Sequence, residues 1–195
     1  MSRRLGVLGV GINDSSYETQ KFKIIDGKRK RVFACPFYEK WTHMLKRCYS
    51  PKSLEKRPSY IDCYVCEEWL LFSNFKAWME GQDWQGKQLD KDILVEGNKV
   101  YSPSTCVFVD KLTNGFINDH KAGRGKYLLG VSIRASGSYM ATCSQLNGKN
   151  KNLGSFKSEQ EAHLAWKRNK MKLAKILSER QSDSRVSEAI LLRFS

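Results

Sequence analysis

Acidic residues are scarce in this chain. Twenty Asp and Glu stand against 34 Lys and Arg in 195 residues, a formal charge of +14. Such an excess favours a polyanionic partner, and nucleic acid is the commonest one. Long apolar runs are missing too. The longest candidate, residues 69–75, is far short of the roughly 20 residues that span a bilayer and is flanked by acids, so no membrane association is expected. The apolar run at 5–12 is short, is interrupted by glycine and has no cleavage-site pattern after it, so a signal peptide is not expected. The expected location is therefore the cytoplasm, where the six cysteines stay reduced. Histidine is rare, with only His43, His120 and His163. There is no internal repeat and no low-complexity tract. What the chain does have is 41% hydrophobic and 11% aromatic residues, enough for packed cores and enough to exclude wholesale disorder. The length allows one large domain or two small ones.

The charge is unevenly placed. Residues 1–34 hold eight Lys/Arg and three Asp/Glu, residues 35–112 hold eleven of each, and residues 113–195 hold fifteen against six. Two basic ends around a neutral middle fit two grips on a polyanion. At the first end, residues 20–35 predict a hairpin. Phe22, Ile24 and Ile25 precede Asp26-Gly27, a type I′ turn pair. Its tip, Lys28, Arg29, Lys30 and Arg31, repels itself unless an anion lies against it.

Pro36 predicts the start of a helix. Phe37, Trp41, Met44, Leu45 and Cys48 share its apolar face, with Lys40, Lys46 and Arg47 off it. Residues 51–59 read as a polar loop, and 61–65 as a short strand. Residues 67–79 read as a second helix whose stripe of Trp69, Phe72, Phe75 and Trp78 or Met79 is core packing. Residues 89–94 and 100–101 read as two strands joined by Glu96-Gly97-Asn98-Lys99, followed by a helical or extended segment through 106–109. Residues 113–126 read as a linker. Three strand-like runs follow at 127–133, 138–145 and 150–156, then a capping box at Ser158–Glu161 opening a helix to about residue 179. Residues 187–193 add a short helix.

Period-2 alternation divides those three strands into two faces. Val131, Ile133, Ala141, Cys143 and Leu153 turn toward the helix. Ser132, Arg134, Met140, Thr142, Ser144, Asn150 and Asn152 turn outward, with no acid among them. That face suits the major groove of DNA, where Arg pairs with guanine and Asn with adenine. Gly130-Val131, Tyr139-Met140-Ala141, Leu153-Gly154-Ser155-Phe156, Glu161-Ala162-His163 and Ala165-Trp166 resemble the ethylene-response-factor (Apetala-type) DNA-binding domain, in the version fused to phage endonucleases. The resemblance implies DNA reading by Ser132, Arg134, Thr142, Ser144, Asn150 and Asn152. His163 reads as an ordinary helix-face histidine.

The middle carries a second resemblance. Trp41, Met44-Leu45 and Arg47-Cys48-Tyr49, then Val65-Cys66 and Glu68-Trp69, then Leu89-Asp90-Lys91-Asp92-Ile93, then Gly97-Asn98-Lys99, Tyr101-Ser102-Pro103 and Cys106, then Asn114, are similar in order to the HNH-type homing endonucleases of phages. The resemblance implies a ββα core holding a divalent metal, with catalytic roles for Asp90, Lys91, Asp92, Asn98 and Asn114. Where that family commonly has Asp-His, this chain has Asp90-Lys91. On a strand Asp90 and Asp92 would face one side, and two carboxylates there suit Mg²⁺. His43 and His120 could reach the site as bases, although a packed helix histidine is the plainer reading of His43. Cys63 and Cys66, completed by Cys48 and Cys106, could hold structural Zn²⁺; the same residues also fit as small buried hydrophobes.

The expected fold is therefore α+β: a small, degenerate HNH-like core with added helices, then a three-stranded antiparallel sheet packed on one helix. The expected organisation is a basic arm at 1–34, a nuclease-like core at 35–112, a linker at 113–126, an Apetala-type domain at 127–180 and a tail at 181–195. The expected partner is double-stranded DNA. The expected activity is Mg²⁺-dependent phosphodiester cleavage, the alternative being a DNA-binding regulator without activity.

Overall fold

The computed structural model describes residues 6–118 and 126–195. It has an α+β architecture divided into two compact units, residues 1–109 and 110–195. No helix among the described residues is long and apolar enough to cross a membrane.

The first unit opens with a hairpin of β1 (Gln20–Ile25) and β2 (Lys28–Ala34). Asp26 and Gly27 both adopt positive φ, 53° and 69°, as a two-residue primed turn requires. Helix α1 (Pro36–Tyr49) follows, with proline in its first turn and Trp41, Met44, Leu45 and Cys48 buried on one face. Residues 51–59, read from sequence as a loop, instead form a short helix α2 (Pro51–Lys56) and a 3₁₀ turn at Pro58–Tyr60. Both start at a proline, which is preset for a first helical turn and needs no N–H partner there.

The second aromatic segment is also split. A 3₁₀ turn covers Glu67–Leu70, and helix α3 covers Phe72–Glu80. The break falls at Leu71, whose extended backbone lets its neighbours pair with Ile12: Ile12 N–H donates to Leu70 and Phe72 N–H donates to Ile12. The aromatic stripe packs as predicted. Trp69, Phe72, Phe75 and Met79 are buried, and the Trp41 indole N–H donates to the Trp69 carbonyl at 2.7 Å.

The strand pairing differs from the sequence reading. β4 (Gln88–Asp90) is shorter than 89–94 and pairs antiparallel with β6 (Val107–Val109). β5 (Val100–Tyr101) pairs instead with β3 (Tyr64–Val65), in parallel. The two segments read as strands joined by Glu96-Gly97-Asn98-Lys99 therefore do not pair with each other. The segment from Lys91 to Lys99 connects two different small sheets.

The second unit begins with α4 (Lys111–Ile117), capped by the Asp110 side chain on the Thr113 N–H. This helix occupies the start of the predicted linker. Phe116, Ile117 and Thr113 are buried, and the Lys170 ammonium sits 3.5 Å from the Phe116 ring centroid. Residues 119–125 of that linker, with His120, lie outside the described residues. Strands β7 (Val131–Ile133), β8 (Tyr139–Ser144) and β9 (Asn150–Phe156) form an antiparallel sheet packed against α5 (Glu159–Ser178). The predicted capping box of Ser158 and Glu161 opens α5. The segment read as a tail is mostly helix α6 (Ser184–Phe194), with Val186 and Ile190 buried.

Candidate functional site

Asp90 ends β4 and shapes the loop after it. Its Oδ1 accepts from the backbone N–H of Asp92 at 2.7 Å and of Ile93 at 2.9 Å. Those two amides turn toward the carboxylate, so the strand stops there. Asp90 and Asp92 consequently do not alternate along one strand, as the sequence suggested. Lys91, between them, is only 4% exposed. Its ammonium donates to Asp92 Oδ1 at 2.6 Å and to the Asn98 carbonyl at 2.5 Å. Asn98 uses its whole side chain in the loop: Nδ2 donates to the carbonyls of Lys91 and Val100, both at 2.7 Å, while Oδ1 accepts from Val100 N–H at 3.1 Å.

Helix α1 and its neighbours close this cluster. Arg47 donates from Nη1 to the Leu89 carbonyl and to the Tyr101 hydroxyl, each at 3.3 Å. Lys40, two turns earlier on α1, donates to the Lys87 carbonyl at 2.6 Å. Tyr60 places its ring 5.8 Å from the Lys91 ammonium and 5.9 Å from the Arg47 guanidinium.

The charges respond to this setting. Burial pushes the Asp90 carboxyl above its ordinary pKa, despite the two amide hydrogen bonds. Burial also pulls on Lys91, but its hydrogen bond and ion pair with Asp92 outweigh that and raise it. Lys91 is therefore a cation at neutral pH and cannot serve as a proton acceptor. Arg47 is likewise raised: the Tyr101 and Tyr60 oxygens and Asp90 outweigh its burial.

Asp90, Lys91, Asp92 and Asn98 thus come together in one loop. Asn114 belongs to the second unit, where its Oδ1 accepts from Asn118 Nδ2 at 2.6 Å. His43 is exposed on α1 rather than packed. Its pKa is lowered by partial burial and by Lys46, Arg47 and Arg31, against Glu39. Among the described residues no three His, Cys, Asp or Glu side chains gather into a group that could hold a metal. Cys48, Cys63 and Cys106 are buried in the aromatic core, and Cys66 is half-buried beside it. Burial pushes the thiols of Cys48 and Cys106 up to about 12, which keeps them protonated in this setting.

In the second unit, register places Ser132, Met140 and Ser155 in one row across the sheet. Thr142 lies opposite Asn152, and Ser144 opposite Asn150, with Ser144 Oγ donating to Asn150 Oδ1 at 2.7 Å. Arg134 is exposed and approaches the Met140 sulfur at 3.2 Å. Ala141 and Cys143 are buried toward α5 as expected, whereas Ile133, predicted inward, is 47% exposed near the strand end. A bulge between Ala141 and Thr142 on β8 adjusts the pairing with β9. His163 is a structural residue: its Nδ1 lies 3.0 Å from the Leu129 carbonyl, and its ring stacks on Trp166.

The four tip cations of the hairpin do not act as one patch. Arg29 lies over the Phe22 ring at 4.1 Å, and Arg31 pairs with Glu39 at 2.5 Å. Lys28 and Lys30 share the other face with Lys23, which lies directly opposite Lys30. Lys23, Arg47, Tyr60 and Tyr101 were not singled out as site residues from sequence. Only Arg47 and Tyr101 carried a signal, since both stand in the motifs that frame Asp90.

No family model, curated protein or solved structure matches the chain.

Proposed function

We propose that the protein binds double-stranded DNA and cuts or nicks it as a metal-dependent endonuclease resembling the phage HNH type, with the three-stranded sheet as an Apetala-like DNA-holding element. The observation that carries this reading is the outer face of β7, β8 and β9. Thr142 with Asn152 and Ser144 with Asn150 form polar cross-strand pairs, Ser132 stands opposite Met140, and Arg134 lies beside them with no carboxylate in these rows. Amide and hydroxyl groups on a narrow sheet match the donor and acceptor edges of the major groove.

The loop at Asp90 is the candidate cleavage centre. Two amides occupy Oδ1 of Asp90, so a cation at this carboxylate would bind through Oδ2. One carboxylate suits Mg²⁺, which completes its shell with water and phosphate oxygens. Bound there, the ion would supply Lewis-acid stabilisation of the leaving oxygen. Lys91 and Arg47 add fixed positive charge that attracts the phosphodiester. Asp92 and the Asn98 carbonyl hold Lys91 in place.

A second reading, a DNA-binding protein without cleavage, draws support from Lys91. It stands where the HNH type commonly has its histidine and stays protonated. Supercoiled plasmid with Mg²⁺ separates the two readings. Cleavage lost on Asp90→Ala supports the endonuclease. Binding without cleavage of any substrate supports the second reading. Thr142→Glu should weaken binding under either, and unchanged binding contradicts the role of the sheet.

A further inference from the structure

The hairpin of β1 and β2 is exposed along almost its whole length, on both faces. Only Gln20 and Ala34, at its base, are half-buried. Two strands open to solvent on both sides do not form a packed layer, and an isolated hairpin of this kind is marginal in water. It nevertheless carries large apolar groups outward: Ile24 is 71% exposed, with Phe22, Val32 and Phe33 each above 40%. It also holds six cations against one acid between residues 20 and 34.

Register sorts these groups. Phe22, Ile24, Arg29 and Arg31 share one face, and Lys23, Ile25, Lys28 and Lys30 the other. On the first face Arg29 lies over the Phe22 ring and Arg31 pairs with Glu39 of α1. The second has three lysines against a single carboxylate, that of Asp26, 3.1 Å from Lys30. Lys23 stands directly opposite Lys30, and like charges in that position destabilise a strand pair. The face is short of anions by its own construction.

We infer that this ribbon is a groove-inserting arm: it enters the major groove of a DNA duplex with Lys23, Lys28 and Lys30 against the phosphates. The inference rests on the duplex-binding reading above and deepens it. The major groove of B-form DNA, about 12 Å wide, admits a two-stranded ribbon, whereas the deep, narrow major groove of duplex RNA does not. A row of phosphates supplies the anions that Lys23 and Lys28 lack, and the exposed apolar side chains meet base edges such as the thymine methyl.

The test compares wild type with Lys23→Gln/Lys28→Gln/Lys30→Gln and with Arg29→Gln/Arg31→Gln. All five positions are on the exposed ribbon, and circular dichroism checks that each variant folds. Each protein is titrated with a mixed-sequence DNA duplex across a salt series. The triple lysine variant should bind more weakly, and its slope of log K against log salt should fall by about 2 to 3, at about 0.9 per lost phosphate contact. The arginine variant should change the slope less. The major-groove ligand methyl green should displace wild type, and duplex RNA should bind it more weakly than DNA. An unchanged slope in the lysine variant, a larger loss in the arginine variant, indifference to methyl green, or equal binding of duplex RNA each overturns the arm. If wild type itself ignores DNA in dilute buffer, the duplex-binding reading fails and the arm fails with it. If wild type binds DNA and the lysine variant matches it, the arm alone fails.

Discussion

Lys91 and Asn98 hold each other reciprocally. The Lys91 ammonium donates to the Asn98 carbonyl at 2.5 Å, and the Asn98 side-chain amide donates back to the Lys91 carbonyl at 2.7 Å. This clasp closes the loop after β4 and fixes Lys91 beside Asp90. Asn98→Ala leaves the carbonyls of Lys91 and Val100 without these donors, at a cost of about 1–3 kcal/mol. Asn98→Asp should cost more, because it points acceptors at acceptors. Urea unfolding midpoints in the order wild type, Ala, Asp test this; equal midpoints contradict it.

Asp90 separates stability from chemistry. Burial raises its pKa in the folded protein. Its favourable contribution is therefore present below the ordinary carboxylate value and is lost as pH rises through the folded value. At neutral pH the ionised group is a burden. Asp90→Asn keeps an oxygen for the amides of Asp92 and Ile93 and removes the charge. Its melting temperature at neutral pH should equal or exceed wild type, while plasmid cleavage is lost. A large fall in melting temperature contradicts this account of Asp90.

Gly130 makes room for Trp166. It adopts φ +76°, and an added Cβ would lie 2.0 Å from the indole Cδ1. Gly130→Ala must both strain the backbone and displace the ring, a combined cost of about 2–5 kcal/mol. Thermal unfolding should show the loss, with altered Trp166 fluorescence. Wild-type stability in that variant would contradict the close packing of the sheet turn on α5.

Two carboxylates at helix starts act in the opposite sense to Asp90. Asp183 caps α6 and lies below its ordinary pKa, first through its hydrogen bond with Arg185. Asp14 is also lowered: partial burial raises it, but the Ser73 hydroxyl and N–H at the start of α3 outweigh that. Their stabilisation is present above about pH 4 and is lost as pH falls through the lower folded values. Asp14→Ala should cost about 0.5–2 kcal/mol at neutral pH, as loss of a helix cap does. The deficit should shrink in strong acid; a pH-independent deficit contradicts the sign.

Much of the fold was legible because its signals are local. Asp26-Gly27 turns the hairpin, Pro36 starts α1, and Ser158 with Glu161 caps α5 through chemistry confined to a few residues. The faces of α1 and of β8 followed from periodicity. The errors arose where a distant partner decides. Leu71 breaks an aromatic helix because Ile12 pairs there. Val100 and Tyr101 join β3 rather than β4, a choice that no spacing encodes. Within the candidate site, the grouping of Asp90, Lys91, Asp92 and Asn98 was readable from their order. The occupation of Oδ1 by backbone amides was not. Arg47 looked like a solvent-side cation, yet it reaches the carbonyl of Leu89. Ile133 kept the inward alternation in sequence but stands exposed.

The most direct test of the central claim is a titration of the purified full-length chain with a mixed-sequence DNA duplex in dilute buffer, repeated as salt is raised. The account predicts firm binding at low salt, with log K falling linearly with log salt as phosphate contacts release counterions. No binding to duplex DNA in dilute buffer, or binding indifferent to salt, would contradict it.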